Sequence, residues 1–152
     1  MSLPPGTRLG PYEILSSIGT GGMGEVYKAK DTRLDRIVAI KVLLAHLAES
    51  PERKARFERE AKLLASLNNP GIASIYDLLE AGGVRFLAME LVEGEDLARR
   101  LTRGPLPLDE ALDVARQIAA ALDAAHDSCV VHRDLTPATV QLAPTGEVKL
   151  LD

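Results

Sequence analysis

The sequence predicts an α+β fold: a five-stranded antiparallel sheet carrying one helix, followed by a mainly helical part. Three observations lead there. Short β-rich runs fill the first half, separated by glycine or polar turns. One amphipathic helical stretch interrupts them after Ser50. Beyond Gly94 the strand pattern stops and apolar residues recur at helical spacing.

Residues 1–11 read as an N-terminal extension. Tyr12, Ile14 and the Leu15–Ile18 stretch form the first strand and lead into a glycine cluster. Glu25–Lys30 and Ile37–Leu44 follow as strands, separated by the polar stretch Asp31-Thr32-Arg33-Leu34-Asp35-Arg36. Tight turns between them imply antiparallel pairing. The helix starts with Ser50 as N-cap and Pro51 at its first position. Phe57, Ala61, Leu64 and Ala65 make a stripe that faces the sheet. The pairs Glu52/Arg56 and Glu58/Lys62 support its exposed side. Asn68-Asn69-Pro70-Gly71 ends the helix. Ile72–Glu80 and Val84–Leu91 are the last strands, turning at Ala81-Gly82-Gly83.

Residues 12–91 thus form one unit, 92–95 a linker, and 96–152 a second unit. The second unit holds a short helix, Asp96–Thr102, and a long one, Leu108–Asp127, separated by a glycine- and proline-containing loop. Leu112, Ala115, Ile118, Ala119, Leu122 and Ala125 are the expected apolar stripe of the long helix. A small hairpin closes the chain, Val140–Leu142 against Glu147–Leu151.

Composition narrows the function. The chain has 152 residues, 46% of them hydrophobic and 26% charged, the balance of a globular protein with a core. Its formal charge of −4 argues against a nucleic-acid binder that relies on a basic face. A single cysteine, Cys129, excludes an intramolecular disulfide framework and a multi-cysteine zinc site. No apolar run is long enough to span a membrane, and the expected location is cytoplasmic.

Three motifs carry chemistry. The first is Ile18-Gly19-Thr20-Gly21-Gly22-Met23-Gly24-Glu25-Val26. Glycines at 19, 21 and 24 let backbone N–H groups approach phosphate oxygens. A plain glycine hairpin has the same letters, and so does a dinucleotide fingerprint. The fingerprint needs a helix after the glycines, whereas Glu25-Val26-Tyr27-Lys28-Ala29 reads as strand. The second motif is Val38-Ala39-Ile40-Lys41. A lysine in an apolar strand either reaches water from an edge or meets a negative partner. The third is Val131-His132-Arg133-Asp134-Leu135-Thr136-Pro137-Ala138-Thr139, a loop in which Asp134 can accept a proton and His132 can serve structure; a solvated loop with a salt bridge reads the same way.

In this order, from about Leu9 to Asp152, the motifs resemble the eukaryotic-like protein kinases, particularly the bacterial serine/threonine kinases. The resemblance implies a kinase-like fold, with 12–91 as N-lobe, 92–95 as hinge and 96–152 as a partial C-lobe. Gly19, Gly21 and Gly24 match the flap over the ATP phosphates. Val26 and Ala39 match the residues on either side of the adenine. Lys41 matches the lysine that holds the α- and β-phosphates. Glu60, preferred to Glu58, matches the helix glutamate that orients it. Met89 matches the residue at the back of the pocket, and Glu90 and Val92 the hinge residues whose backbones bond the adenine. Asp96, with Glu95 as second choice, matches the acidic residue near the ribose. Asp134 matches the catalytic aspartate, Asp152 the Mg²⁺-binding aspartate of the Asp-Phe-Gly motif, and Arg133 the partner of a phosphorylated activation loop. The implied cofactors are ATP and Mg²⁺, and the implied partner is a protein substrate.

Departures from the family pattern gather toward the C-terminal end. Thr136 replaces the usual lysine, and losing such a charge stabiliser costs on the order of a hundred- to a thousandfold in rate. Thr139 replaces the metal-binding asparagine and is shorter. Gln141 takes a usually apolar position beneath the adenine. Cys129 stands where glycine commonly ends the long helix, so a left-handed backbone is expected to be costlier there. The sequence stops at Asp152, without the Phe-Gly, activation segment or Ala-Pro-Glu motif of the family. The expectation is a truncated kinase domain with little or no activity; the alternative is a pseudokinase that binds nucleotide or acts as a scaffold. The uncovered face of the long helix would then serve a partner or self-association.

Overall fold

The computed structural model describes residues 3–21, 24–43, 49–132 and 135–151. The chain forms two compact units. Unit 1 spans Met1–Ala65 and Ile75–Leu91; unit 2 spans Ser66–Ser74 and Val92–Asp152.

Unit 1 is an antiparallel sheet in the order β1(Arg8–Leu9), β2(Tyr12–Gly21), β3(Gly24–Asp31), β4(Arg36–Leu43), β6(Val84–Met89), β5(Ile75–Ala81), with α1(Pro51–Ala65) between β4 and β5 in the chain. The two-residue β1 is an addition to the five expected strands, so part of the supposed extension belongs to the sheet. Register decides what each face does. Tyr27 pairs with Ile40 and Ile40 with Ala88, while Val42 pairs with Phe86. These residues point to one face and build the main core with Tyr12 and Ile14. The Tyr12 and Phe86 rings meet edge to face, centroids 5.8 Å apart. The other face carries Leu43 and Leu87, against which α1 packs Phe57 and Ala61.

Two bulges interrupt the β2–β3 register, between Ile14 and Ser16 and between Ser17 and Gly19. They break the strict alternation and leave Leu15 and Ile18 exposed. The β5–β6 turn is Gly82-Gly83, with φ of 58° and 78°. A two-residue hairpin turn that matches the twist of its strands needs this left-handed pair, which glycine adopts without strain.

The helix stripe is shorter than expected: Phe57 and Ala61 are buried, Leu64 is half-buried and Ala65 is exposed. Its charges pair differently as well. Arg56 bonds Glu60, 3.0 Å away, and Glu58 is drawn across to Arg85 on β6. The strand expected from Ile72 begins at Ile75.

Unit 2 contains β7(Glu95–Asp96), α2(Leu97–Leu101), α3(Leu108–Asp127), a 3-10 turn at Pro137–Thr139, and the hairpin β8(Val140–Leu142)–β9(Val148–Leu150). The strands form a sheet in the order β7–β8–β9. Segment 66–74 belongs here rather than with the first sheet. Leu150 donates to the Gly71 carbonyl at 2.8 Å and accepts from Ala73 N at 3.0 Å. Gly71 also lies against α3, where an added Cβ would come 2.9 Å from that of Ala121.

The long helix packs Val114 and Ala121 against Val140, Val148 and Leu150, with Ala125 also buried and Ile118 and Leu122 half-buried. Leu112, Ala115 and Ala119 are exposed, so the expected single stripe splits into a buried and an open face. Gln117 fastens the helix to the hairpin: its Nε2 donates to Gly146 O at 3.1 Å and its Oε1 accepts from Val148 N at 2.9 Å. The helix ends in a Schellman motif. Val130 N donates to Ala125 O and Cys129 N to His126 O, both at 2.9 Å. Cys129 takes the left-handed conformation there, φ 60°, as expected of its position.

Candidate active site

The sheet register of unit 1 aligns most of the candidate nucleotide residues. Gly19 lies opposite Val26, Val26 opposite Lys41, and Lys41 opposite Leu87. Two rows further, Lys28 pairs with Ala39 and Ala39 with Met89. Directly opposed residues share a face, and so do residues two apart on one strand. Val26, Ala39, Lys41 and Met89 therefore lie on the same face of the sheet, opposite to the Tyr27–Ile40–Phe86 core. Part of this face is covered by α1 through Leu43 and Leu87. Lys41 is only 9% exposed, on an inner strand between β3 and β6. The edge-strand alternative for this lysine is thereby excluded. Gly21 faces Gly24 across the end of the β2–β3 hairpin, and its tip, Gly22-Met23, lies outside the described residues.

Glu60 lies on α1 and its Oε1 accepts from Arg56 Nε at 3.0 Å. Both side chains are substantially exposed, so this pair is a weak one. Glu90 follows Met89, the last residue of β6.

In unit 2 the candidate side chains are tied to nearby groups. The Val92 carbonyl accepts from Gln141 Nε2 at 3.2 Å. Gln141 stands on β8, paired with Asp96 on one side and Lys149 on the other. Gly94 has φ 108°, and a Cβ there would lie 2.0 Å from the Leu142 carbonyl oxygen. Only glycine lets the linker pass so close to β8. Asp96 caps α2, its Oδ1 accepting from Arg99 N at 2.7 Å. Glu95 forms a two-pronged ion pair with Arg103, one arm at 2.7 Å. The hydrogen bond and charge of Arg103 hold the Glu95 carboxyl below its ordinary range.

His132 Nε2 lies 2.9 Å from Leu151 O, so the tautomer protonated there donates to the residue after β9. Leu151 N donates in turn to Thr139 O at 2.8 Å. Both bonds brace the loop against the hairpin. Arg133, Asp134 and Asp152 lie outside the described residues.

The fit of Mg²⁺ can be judged at Thr139. Its hydroxyl donates to Thr136 O at 2.9 Å and accepts from Thr136 N at 3.1 Å. One lone pair is left, far less than an asparagine carbonyl held free for a metal offers. Among the described residues no group of His, Cys, Asp or Glu is placed to hold a metal ion.

Sequence reasoning missed Gln117 and Arg85. A single glutamine or arginine on an element carries no periodic signal, and both act across chain separations that spacing does not reveal.

A glycine hairpin, an inner-strand lysine and a helix packed on the lysine's side of the sheet define a nucleotide-binding domain of the kinase type. The chain belongs to the protein kinase domain family, whose model matches residues 12–152, and within it to the bacterial serine/threonine type. It is 45% identical to the serine/threonine-protein kinase PknA of Mycobacterium tuberculosis (strain ATCC 25177 / H37Ra) over 152 residues, covering 96% of this chain and 35% of PknA. It is 44% identical to PrkC of Bacillus subtilis (strain 168) over 144 residues, covering 94% of this chain and 22% of PrkC. The PknI kinase domain of Mycobacterium tuberculosis matches in structure with a TM-score of 0.86 at 34% identity, over 99% of this chain and 62% of that one. The chain thus spans about a third of the length of PknA. No helix among the described residues is long and apolar enough to cross a membrane.

Proposed function

We propose that the chain binds ATP through unit 1 and carries a handicapped apparatus for transferring its γ-phosphoryl group to a protein serine or threonine. One observation supports this most: Val26, Ala39, Lys41 and Met89 share a sheet face, with Gly19 in the Val26–Lys41 row. Apolar Val26 and Ala39 suit the faces of a purine, and the Lys41 ammonium suits the α- and β-phosphates. Glu60 would orient Lys41. The backbones of Glu90 and Val92 would bond the base, and Gly21 and Gly24 would let the hairpin close over the phosphates. Asp96 or Glu95 would lie near the ribose.

In the transfer itself, the substrate hydroxyl oxygen forms a bond to the γ-phosphorus while the bond to the β–γ bridging oxygen breaks. Asp134 accepts the hydroxyl proton. Asp152 would hold Mg²⁺, with Thr139 a poor second ligand; when bound, the ion neutralises charge on the phosphate oxygens. Arg133 would answer a phosphorylated activation loop, and His132 braces the loop that carries Asp134.

Calorimetric titration of the chain tests the binding half. Mg·ATP should bind and NAD should not. Lys41→Met should weaken ATP about tenfold or more, the loss of a charge-assisted bond. Equal binding of ATP by wild type and Lys41→Met would overturn the assignment.

A second reading, a nucleotide-binding or scaffolding pseudokinase, is favoured by the Thr136–Thr139 bonds, which leave the Thr139 hydroxyl a single lone pair for a metal. Phosphorylation of a generic substrate by the chain, abolished by Asp134→Asn, would reject it.

A further inference from the structure

Arg85 is the most unusual charged residue of unit 1. Its side chain is 15% exposed, at the start of β6, and its Nε is buried without a hydrogen-bond partner. Its two terminal nitrogens reach carboxylates on different elements. Nη1 bonds Glu58 of α1, and Nη2 bonds Glu80 of β5 at 3.0 Å. Glu80 is also its cross-strand neighbour, so the rigid β5–β6 hairpin holds that end. Lys54 of α1 adds a longer contact to Glu80, 3.9 Å.

The position of Glu58 on the helix gives this clamp its meaning. Phe57 and Ala61 are the buried residues of α1. With about 100° per residue, Glu58 and Glu60 lie about 80° to either side of the midline of that stripe. Two buried side chains alone leave the rotation of a helix loosely determined, because apolar contact is non-directional. The short Arg85 bond, more than the 3.9 Å Lys54–Glu80 contact on the same flank, fixes it, and so fixes where Glu60 stands on the other flank. The Arg56–Glu60 pair cannot do this, since both partners move with the helix.

We infer that Arg85 is a positioning residue for the phosphate-binding pair: by clamping Glu58 to the β5–β6 hairpin it holds α1 at the rotation that presents Glu60 to Lys41. The inference rests on the assignment of Lys41 and Glu60 proposed above. An arginine that only braced the fold would change stability and leave ligand preference alone. A positioning arginine changes the binding of phosphates and leaves the binding of the nucleoside untouched.

The test compares affinities of the chain for Mg·ATP and for adenosine, by titration calorimetry, in Glu60→Gln, Arg85→Met, Arg85→Lys and the double variant. Glu60→Gln should lower the ATP-to-adenosine affinity ratio about tenfold. Arg85→Met should lower it similarly, Arg85→Lys should restore part of it, and Arg85→Met should add nothing in the Glu60→Gln background. If Arg85→Met loses the far-ultraviolet circular dichroism of the folded chain, Glu58→Gln, which keeps the Arg85–Glu80 bond, takes its place with the same expected drop. A ratio that falls with Glu60→Gln but holds with Arg85→Met or its substitute overturns the inference and leaves the site assignment standing. A ratio unmoved by Glu60→Gln overturns the assignment, and the inference with it.

Discussion

The two units use their polar side chains in different ways. In unit 1, Lys41 is buried on a sheet face among small and apolar neighbours, and the charged pairs around α1 and β6 reach from one element to another. In unit 2, the polar groups at the corresponding candidate positions are committed to partners within the unit. Asp96 caps its own helix, Thr139 bonds Thr136, Gln141 holds the Val92 carbonyl, and Glu95 is gripped by Arg103. Groups already bonded in this way must break those bonds before serving a ligand, and each costs about 1 kcal/mol. Under the proposed function, Asp96, Glu95 and Gln141 would serve the nucleotide and Thr139 the metal, so unit 2 would have to release existing bonds for both tasks.

The largest expected effect tests how firmly unit 2 is locked. Gly94→Ala would set a Cβ 2.0 Å from Leu142 O, on backbone that cannot yield like a side chain. The loss should exceed about 4 kcal/mol in urea unfolding followed by circular dichroism. Gly83→Ala is the control in unit 1. It has positive φ but open space, and should cost only about 1 kcal/mol. Equal losses at the two sites would mean that the linker is not locked onto β8.

The next effect concerns transfer. Thr136 stands where the family pattern has a lysine. Thr136→Lys should raise the rate of ATP turnover by the chain about a hundredfold, the size of one preorganised charge stabiliser. Phosphate release measured at saturating Mg·ATP checks it. A rate that stays flat would mean that the residue at 136 does not limit turnover.

How much of this was legible in the sequence also differs between the units. The strands of unit 1 and their turns were readable, because alternation and glycine pairs report directly on sheet and hairpin. Register was not, yet register is what brings Gly19, Val26 and Lys41 into one row. In unit 2 the helix Leu108–Asp127 was readable to its ends. Its packing was not: an alanine-rich helix has apolar residues all round, so periodicity could not choose between the Val114 face and the Leu112 face. Residues 66–74 were assigned to the first unit on chain order. The Gly71–Leu150 and Ala73–Leu150 bonds, made across nearly eighty positions, place them in the second. The proposed site was legible as a set of residue types in order. The commitments of Thr139, Asp96 and Gln141 were not, because each depends on a backbone neighbour whose position only the fold defines.

A smaller effect is expected at the end of α3. Cys129 occupies the left-handed position of the Schellman motif at φ 60°. Relief of that strain by Cys129→Gly is partly offset by the greater freedom glycine has when unfolded. The net gain should be about 1 kcal/mol, seen as a higher urea midpoint with unchanged slope. Cys129→Ala keeps the strain and should leave the midpoint nearly where it was, which separates the backbone effect from loss of the thiol.

The smallest effect is electrostatic and has a definite sign. Glu95 is held below its ordinary range, first by the hydrogen bond from Arg103 and then by nearby positive charge. A depressed carboxyl contributes stability that is fully present above its unfolded value, about 4.3. That contribution is lost as pH falls through the lower folded value. Arg103 stays charged throughout, its own value raised by the same bond. Wild type should therefore be slightly more stable than Arg103→Ala at pH 7, and the gap should close on acidification. Added salt should narrow it at neutral pH, because the pair is partly exposed. The Arg85 clamp in unit 1 is the informative contrast. Its side chain is 15% exposed against 58% for Arg103, while its partners Glu58 and Glu80 stay partly exposed, so Arg85→Met should lose stability that salt narrows less than it does at Arg103. A gap at Arg103 that persists at acid pH would show that the arginine acts by packing its stem and not by its charge, and the two units would then differ less than their ion pairs suggest.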